Sequence, residues 1–184
     1  MKRLTIRRLS LVLLAVGAFA PAAALADTTP TPAAQSQANH DCTTLQTTLG
    51  AATFKQTYGT NANRSNAFGK CVSKMATAEQ QNLTAAPGAC RAEQSDSTFA
   101  ANHGGKTFDQ TYGTGNLKNA FGKCVSAKAK AAAAQDVQAV EAAAKACSTE
   151  RAADPAAFKT KYGTNANKAN AFGKCVSGKA KTQN

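Results

Sequence analysis

Apolar positions recur along this chain at helical spacing. Between Lys128 and Ala153, the residues Val137, Val140, Ala144 and Cys147 fall at i, i+3, i+7 and i+10, one face of an alanine-rich helix. Shorter stretches place Phe54/Tyr58, Phe108/Tyr112 and Phe158/Tyr162 at i, i+4, neighbouring positions on a helical surface. Phe68, Phe121 and Phe172 each precede a cysteine by three and a valine by four, so Phe, Cys and Val share a face of a further helix. These positions belong to one phrase written three times. It runs from Phe-x3-Tyr-Gly-Thr through an Asn-rich loop to Asn-Ala-Phe-Gly-Lys-Cys-Val-Ser, reaching Cys71, Cys124 and Cys175.

The phrase predicts an all-α chain of three repeats, over 41–86, 87–130 and 131–184. Each repeat reads as helix A with the first cysteine near its end, short helix B, a loop, and helix C with the second cysteine. Asp154-Pro155 is an N-cap followed by proline at N1, opening helix B of the third repeat. Asn66, Asn119 and Asn170 stand where each helix C would be capped. Gly59, Gly113 and Gly163 stand where a left-handed residue would end helix B. Gly69, Gly122 and Gly173 inside helix C suggest that another element packs closely there, because glycine costs up to about 1 kcal/mol against alanine in a helix. Helix C of the second repeat runs without a breaker into helix A of the third, from Asn119 to about Ala153. That is a rod of roughly 50 Å. Pro87-Gly88 interrupts the equivalent junction between repeats one and two.

The ends read differently. Lys2, Arg3, Arg7 and Arg8 precede an apolar run from Leu9 to Ala20, and Ala24-Leu25-Ala26 supplies small residues for cleavage, so 1–26 is expected to be a signal peptide. Residues 27–40, rich in Thr, Pro and Ala, have no hydrophobic period and read as a flexible leader. The tail from Gly178 is expected to fray.

Composition sharpens the picture. The mature chain would keep 158 of the 184 residues, and only sixteen of them are Leu, Val or Phe, with no Ile. So few large apolar side chains ordinarily signal disorder; alanine helices and cross-links are what can offset it. Six cysteines in an exported chain read as three disulfides in an oxidising compartment. Of the 15 possible pairings, geometry chooses one. Cys124 and Cys147 sit about 35 Å apart on one rod, beyond disulfide reach. If helices A and C fold back antiparallel, the cysteine near the end of one meets the cysteine near the start of the other. The expected pairs are therefore Cys42–Cys71, Cys90–Cys124 and Cys147–Cys175, each closing a loop worth roughly 3.5 kcal/mol or a little more.

Candidate chemistry is sparse. The loop Thr60-Asn61-Ala62-Asn63, repeated at 164–167, lacks the carboxylates and final glutamate of a calcium loop. The second repeat shortens it to Thr114-Gly115-Asn116-Leu117, so turn and capping duty is the expectation, with a glycan-like ligand as the alternative. His40 and His103 stand in the leader and in an insertion, accompanied by no acid pair or reactive thiol. No catalytic residue, metal site or cofactor is expected, and the chain does not read as an enzyme. Lys70, Lys123 and Lys174 recur early in helix C, where a cation gains nothing from the helix dipole. With Tyr58, Tyr112 and Tyr162 they are the candidate binding residues.

The stretch from Phe158 through Tyr162, Asn165 and Asn167 to Ser177 resembles repeats of uncharacterised exported, alanine-rich proteins of high-GC Gram-positive bacteria. The resemblance covers most of the mature chain. It implies export and helical repeats, and no assigned activity.

Removing four of the 22 basic residues and none of the ten acids leaves a mature charge of +8. This favours a secreted or envelope-associated protein whose Lys-rich helices, such as 118–130 and 168–181, touch an anionic wall polymer or a surface partner. A groove between helices B and C, with Tyr58, Asn61, Asn63 and Lys70, is the alternative site for a small polar ligand such as a glycan. Nucleic-acid binding is disfavoured by export and by the absence of aromatics among the basic runs.

Overall fold

The structure is a computed structural model that describes residues 29–183; the expected signal peptide lies outside the described residues. They form seven helices and no strand: α1 (Pro32–Tyr58), α2 (Ala67–Ser95), α3 (Phe99–Asn102), α4 (Phe108–Tyr112), α5 (Ala120–Ala153), α6 (Pro155–Tyr162) and α7 (Ala171–Lys181). The fold is all-α, with three disulfide-stapled hairpins joined by the long helices α2 and α5. Disulfides Cys42–Cys71, Cys90–Cys124 and Cys147–Cys175 span Cα separations of 5.9, 6.0 and 6.0 Å, and all six cysteines are fully buried.

The rod α5 is continuous, with no proline inside it, and Val137, Val140, Ala144 and Cys147 are all buried. At its end Asp154 accepts from the N–H groups of Ala156 and Ala157 (3.0 and 2.9 Å), and Pro155 opens α6. In the first repeat a single residue makes the same break. Gly50, at φ 72° and ψ 154°, kinks α1 between its long arm and the turn carrying Phe54 and Tyr58.

Three expectations about helix ends fail. The leader is helical from Pro32 onward: Thr31 caps α1 by accepting from Ala34 N–H (3.3 Å), and Thr31 N–H reaches Gln80 Oε1 (3.0 Å). Ala34 and Ala38 extend the buried face of Cys42 and Leu45 by two turns. Methyl groups carry the hydrophobic period there, which a search for large side chains passes over. Pro87-Gly88 likewise does not end a helix, for α2 passes through both. Proline removes one N–H and displaces the carbonyl four residues back, a cost of about 3 kcal/mol. Disulfides at Cys71 and Cys90 and burial of Ala86 hold the helix in line across it. The tail is also helical to Lys181, with Ala180 packed against the core.

The repeats do not stack in file. Helices α2 and α5 pack against each other, and Asn82 Nδ2 bonds Asp136 Oδ2 (2.9 Å) between them. Antiparallel rods return the third repeat to the first, and these two share one core that includes Leu45, Phe54, Met75, Val140, Phe158, Phe172 and Val176. The second repeat keeps a separate small core of Cys90, Phe99, Phe108, Ala120 and Cys124. Phe99 enters it from the inserted helix α3, with its ring 5.7 Å from Phe108 and 6.3 Å from Tyr112. The burial of the aromatics beside each disulfide therefore varies. Phe172 is buried, Phe121 is half-buried, and Phe68 is 37% exposed.

Glycines separate in the same way. Gly59, Gly113 and Gly163 are not left-handed; their φ values are −69°, −74° and −75°. They are needed for close approach, because a Cβ at Gly113 would lie 2.4 Å from the Asp109 carbonyl oxygen. The left-handed residues stand four or five positions later and are Arg64, Leu117 and Lys168 (φ 56°, 66° and 55°). Close packing explains Gly173, whose Cβ would sit 2.7 Å from the Thr57 carbonyl oxygen of α1. Nothing in the structure explains Gly69 or Gly122.

This contrast gives a paired test. Gly122→Ala should stabilise by about 1 kcal/mol, through helix propensity with no clash. Gly173→Ala should destabilise by roughly 1–3 kcal/mol, since the repeats must move apart. Urea midpoints shifting in opposite directions are the expected result. Removing the second staple tests the separate small core: Cys90→Ala with Cys124→Ala forfeits roughly 4 kcal/mol of loop entropy. Limited proteolysis should then cut 96–119 first while the shared core survives; simultaneous loss of both would show a single cooperative unit.

Candidate binding surface

Each loop between helices B and C is closed by a clasp that the cap expectation misassigned. Asn66, Asn119 and Asn170 make no side-chain cap bond. Their side chains turn back to the loop's first threonine instead. Asn66 Oδ1 accepts from Thr60 N–H (3.0 Å) while its Nδ2 donates to Thr60 Oγ1 (2.8 Å). Asn119 treats Thr114 the same way (2.9 and 2.7 Å), as Asn170 does Thr164 (3.0 and 2.7 Å). A primary amide offers an acceptor and a donor side by side, so it matches the hydroxyl and N–H of one residue. The shortened second loop keeps both bonds, which explains why a residue can be lost from it.

The tyrosines are internal. Tyr112 donates to Glu93 Oε2 (2.7 Å), and Lys128 pairs with the same carboxylate. Tyr162 donates to Glu150 (3.0 Å), which Lys161 (2.7 Å) and Lys179 (3.3 Å) also meet. Lys128 holds Glu93 below the ordinary carboxylate range, and Lys161 does so for Glu150. Glu93 and Glu150 lie three residues after the first cysteine of their repeats; Lys128 and Lys179 lie four after the second. In the first repeat those two places hold Leu45 and Met75, both buried. The Tyr58 hydroxyl there has no partner, and burial pushes it far above the usual tyrosine range. Lys70, Lys123 and Lys174 are exposed, each on its own helix. The six candidates lie on six different helices, and two of the three tyrosine hydroxyls are bonded to a glutamate of their own repeat.

Two acids are buried among the alanines. Asp41 of α1 and Glu79 of α2 are 4% and 2% exposed, and Asp136 of α5 acts on Glu79 from the third side. Asp41 Oδ1 accepts from Gln37 Nε2 (2.9 Å) and lies 3.4 Å from His40 Nδ1. Asp41 Oδ2 and Glu79 Oε1 are enclosed with no donor from elsewhere, so a proton on Glu79 gives the pair its own donor. Burial first, then the charge and hydrogen bond of Asp41, raise the Glu79 carboxyl from 4.5 to about 7; Asn82 opposes the shift. Sequence reading missed this pair, although an acid beside Cys42 on the buried face was a signal.

The loops of repeats one and three face each other across a cleft of about 580 Å³, lined by Thr60, Asn61, Arg64, Asn165, Asn167 and Asn170 among others. Arg64 crosses it, with one terminal nitrogen donating to the Ala169 carbonyl (2.9 Å). A smaller cavity of about 190 Å³ adjoins, lined in part by Arg64, Arg151, Lys159 and Lys168. The expected groove of Tyr58, Asn61, Asn63 and Lys70 is not the concavity found; only Asn61 lines the cleft.

No helix among the described residues is long and apolar enough to cross a membrane. The described cysteines are all paired, which fits an oxidising compartment. No protein-family model, curated protein or solved structure matches the chain.

The carboxyl pair gives a pH test with a definite sign. An unfolded Glu79 releases its proton above 4.5, and the folded one keeps it to about 7. Stability from this group is therefore full below 4.5 and is lost as pH rises through 7. Glu79→Gln keeps a donor without the titration. The wild-type Tm should fall by several degrees relative to the variant between about pH 5 and about pH 8; parallel profiles would contradict the shared proton.

Proposed function

We propose that this chain is an exported, non-enzymatic repeat protein of the cell envelope that holds an anionic polymer on its lysine-covered surface. One observation carries the reading: most of the described acids are buried or bonded within the fold, Asp109 of α4 being an exposed exception, while most of the lysines face outward. Asp41 and Glu79 are buried. Glu93 and Glu150 are bound to tyrosine and lysine. Asp96 folds back on Thr98, Asp136 meets Asn82, Glu141 takes the Thr48 hydroxyl, and Asp154 caps α6. Lys55, Lys70, Lys123, Lys130, Lys145 and Lys174 are exposed and spread over α1, α2, α5 and α7. A net positive charge displayed where few acids are free attracts polyanions over several ångströms and weakens with salt.

The disulfide-stapled hairpins suit that role, because cross-links hold a small-residue fold in an extracellular setting that offers no chaperones. The expected behaviour is retention of the mature protein on an immobilised poly(glycerol phosphate) at about 50 mM salt and its release by about 0.5 M. Neutral dextran should retain nothing. Equal retention on both matrices, or none on the polyanion at low salt, would overturn the reading.

A further inference from the structure

Within that reading, we propose that the cleft between the first and third loops is a specific recognition site, taking a short polyhydroxylated segment that bears one acidic group. The acid would rest on Arg64, and the hydroxyls on the amides of Asn61, Asn165 and Asn167.

The argument starts from the left-handed residue that every loop needs. Arg64, Leu117 and Lys168 occupy that position with nearly the same φ, and each pays a conformational penalty of about 1–2 kcal/mol that glycine or asparagine would largely avoid. The fold asks the same of all three positions, yet the side chains differ by location. Where two loops face each other the residue is a cation; where the second loop stands alone it is leucine, 37% exposed. Both cations also serve the loops, Lys168 Nζ donating to the Gly163 carbonyl (3.0 Å) and Arg64 to the Ala169 carbonyl (2.9 Å); of the two, Arg64 lines the cleft and has further donors for an anion there.

The lining matches such a ligand. Asn165 Oδ1 accepts from Asn170 N–H (3.4 Å) and Asn167 Oδ1 from Ala169 N–H (3.0 Å), which turns their NH₂ ends free of the loop. Asn61 Nδ2 is held by Ser65 Oγ (2.9 Å), leaving its oxygen to accept. Donors and acceptors thus alternate around the cleft, as recognition of neighbouring hydroxyls requires. Arg64 spends one nitrogen on Ala169 and keeps the rest of its fork for a phosphate or carboxylate. At about 580 Å³ the cleft falls within the range of roughly 300–1,000 Å³ usual for small-ligand sites. The clasps of Asn66 and Asn170 fix both walls, so little ordering is needed on binding.

Titration calorimetry on the mature protein tests this with three probes: a glycerol phosphate trimer, tri-galacturonate and maltotriose. Saturable one-to-one binding of either acidic probe, with none of the neutral one, is expected; whichever acid binds more tightly identifies phosphate or carboxylate as its source. Arg64→Gln should weaken binding about tenfold, as loss of one charged hydrogen bond does. Asn167→Ala should weaken it several-fold, with Tm lowered only by the loss of one exposed loop hydrogen bond to Ala169. Leu117→Asn, in the lone loop, should leave affinity as it was. Should Arg64→Gln loosen the two repeats, seen as a lowered Tm, the Asn167 variant decides alone. Undiminished binding in the Asn167 variant overturns the cleft. Absence of one-to-one binding while salt-sensitive retention on the polymer persists also overturns it and leaves the broader reading standing; loss of both defeats that reading itself.

Discussion

The cystine at the crossing of helices A and C is the contact on which each hairpin depends, since little else there is large. Alanine allows helices to form and to approach, but its methyl buries little surface, and apolar stabilisation scales with area. Sixteen large aliphatic or phenylalanine side chains divided among three units cannot hold six helical arms together. A fully buried cystine at each crossing restrains the unfolded chain and places two sulfur atoms in the core at once. The aromatics are then free to vary. Phe172 is buried while Phe68 is half out in solvent, and the second repeat adds Phe99 from an insertion. One staple per hairpin makes such divergence tolerable.

The repeats have diverged in a concerted way. Tyr112 and Tyr162 each rest on a glutamate from helix A that a lysine from helix C closes over. The first repeat replaces both partners together, with Leu45 and Met75. Either substitution alone would bury an unpaired charge, at a cost of several kcal/mol; made together they convert an ion pair at a surface into packing in the shared core. Tyr58 keeps its ring there and loses its hydrogen bond. In the first repeat these positions belong to the shared core.

What could be read from residues alone followed from local physics. The buried face of α5, its unbroken length and the Asp154-Pro155 start are consequences of spacing and capping within a few residues. Failures came where distant parts of the chain decide. Residues 32–40 look unstructured because alanine carries their period, and only packing against the rest reveals a face. Pro87 would break an isolated helix, yet α2 is pinned on both sides of it. Asn66 would cap a free helix, but the loop offers its amide a donor and an acceptor together at Thr60, a better match than one N–H. Asp41 and Glu79 lie 38 positions apart, and neither reads as half of a pair until α1 and α2 come together.

The same distance effect governs the cleft. Helices α2 and α5 are 29 and 34 residues long, rods of roughly 44 and 51 Å. Being antiparallel and nearly matched, they set the second hairpin at one end and return the third to the first at the other. Three identical units stacked in file would keep their loops separate, and one cation per loop would face only solvent. The fold-back brings exactly two loops edge to edge, and those two carry Arg64 and Lys168 while the solitary one carries Leu117. A repeat protein of this plan gains a paired concavity by folding its array in half, with no new element added to any repeat. Asymmetry between otherwise equal loops then arises from position in the folded array, and side-chain chemistry at the one strained site follows it.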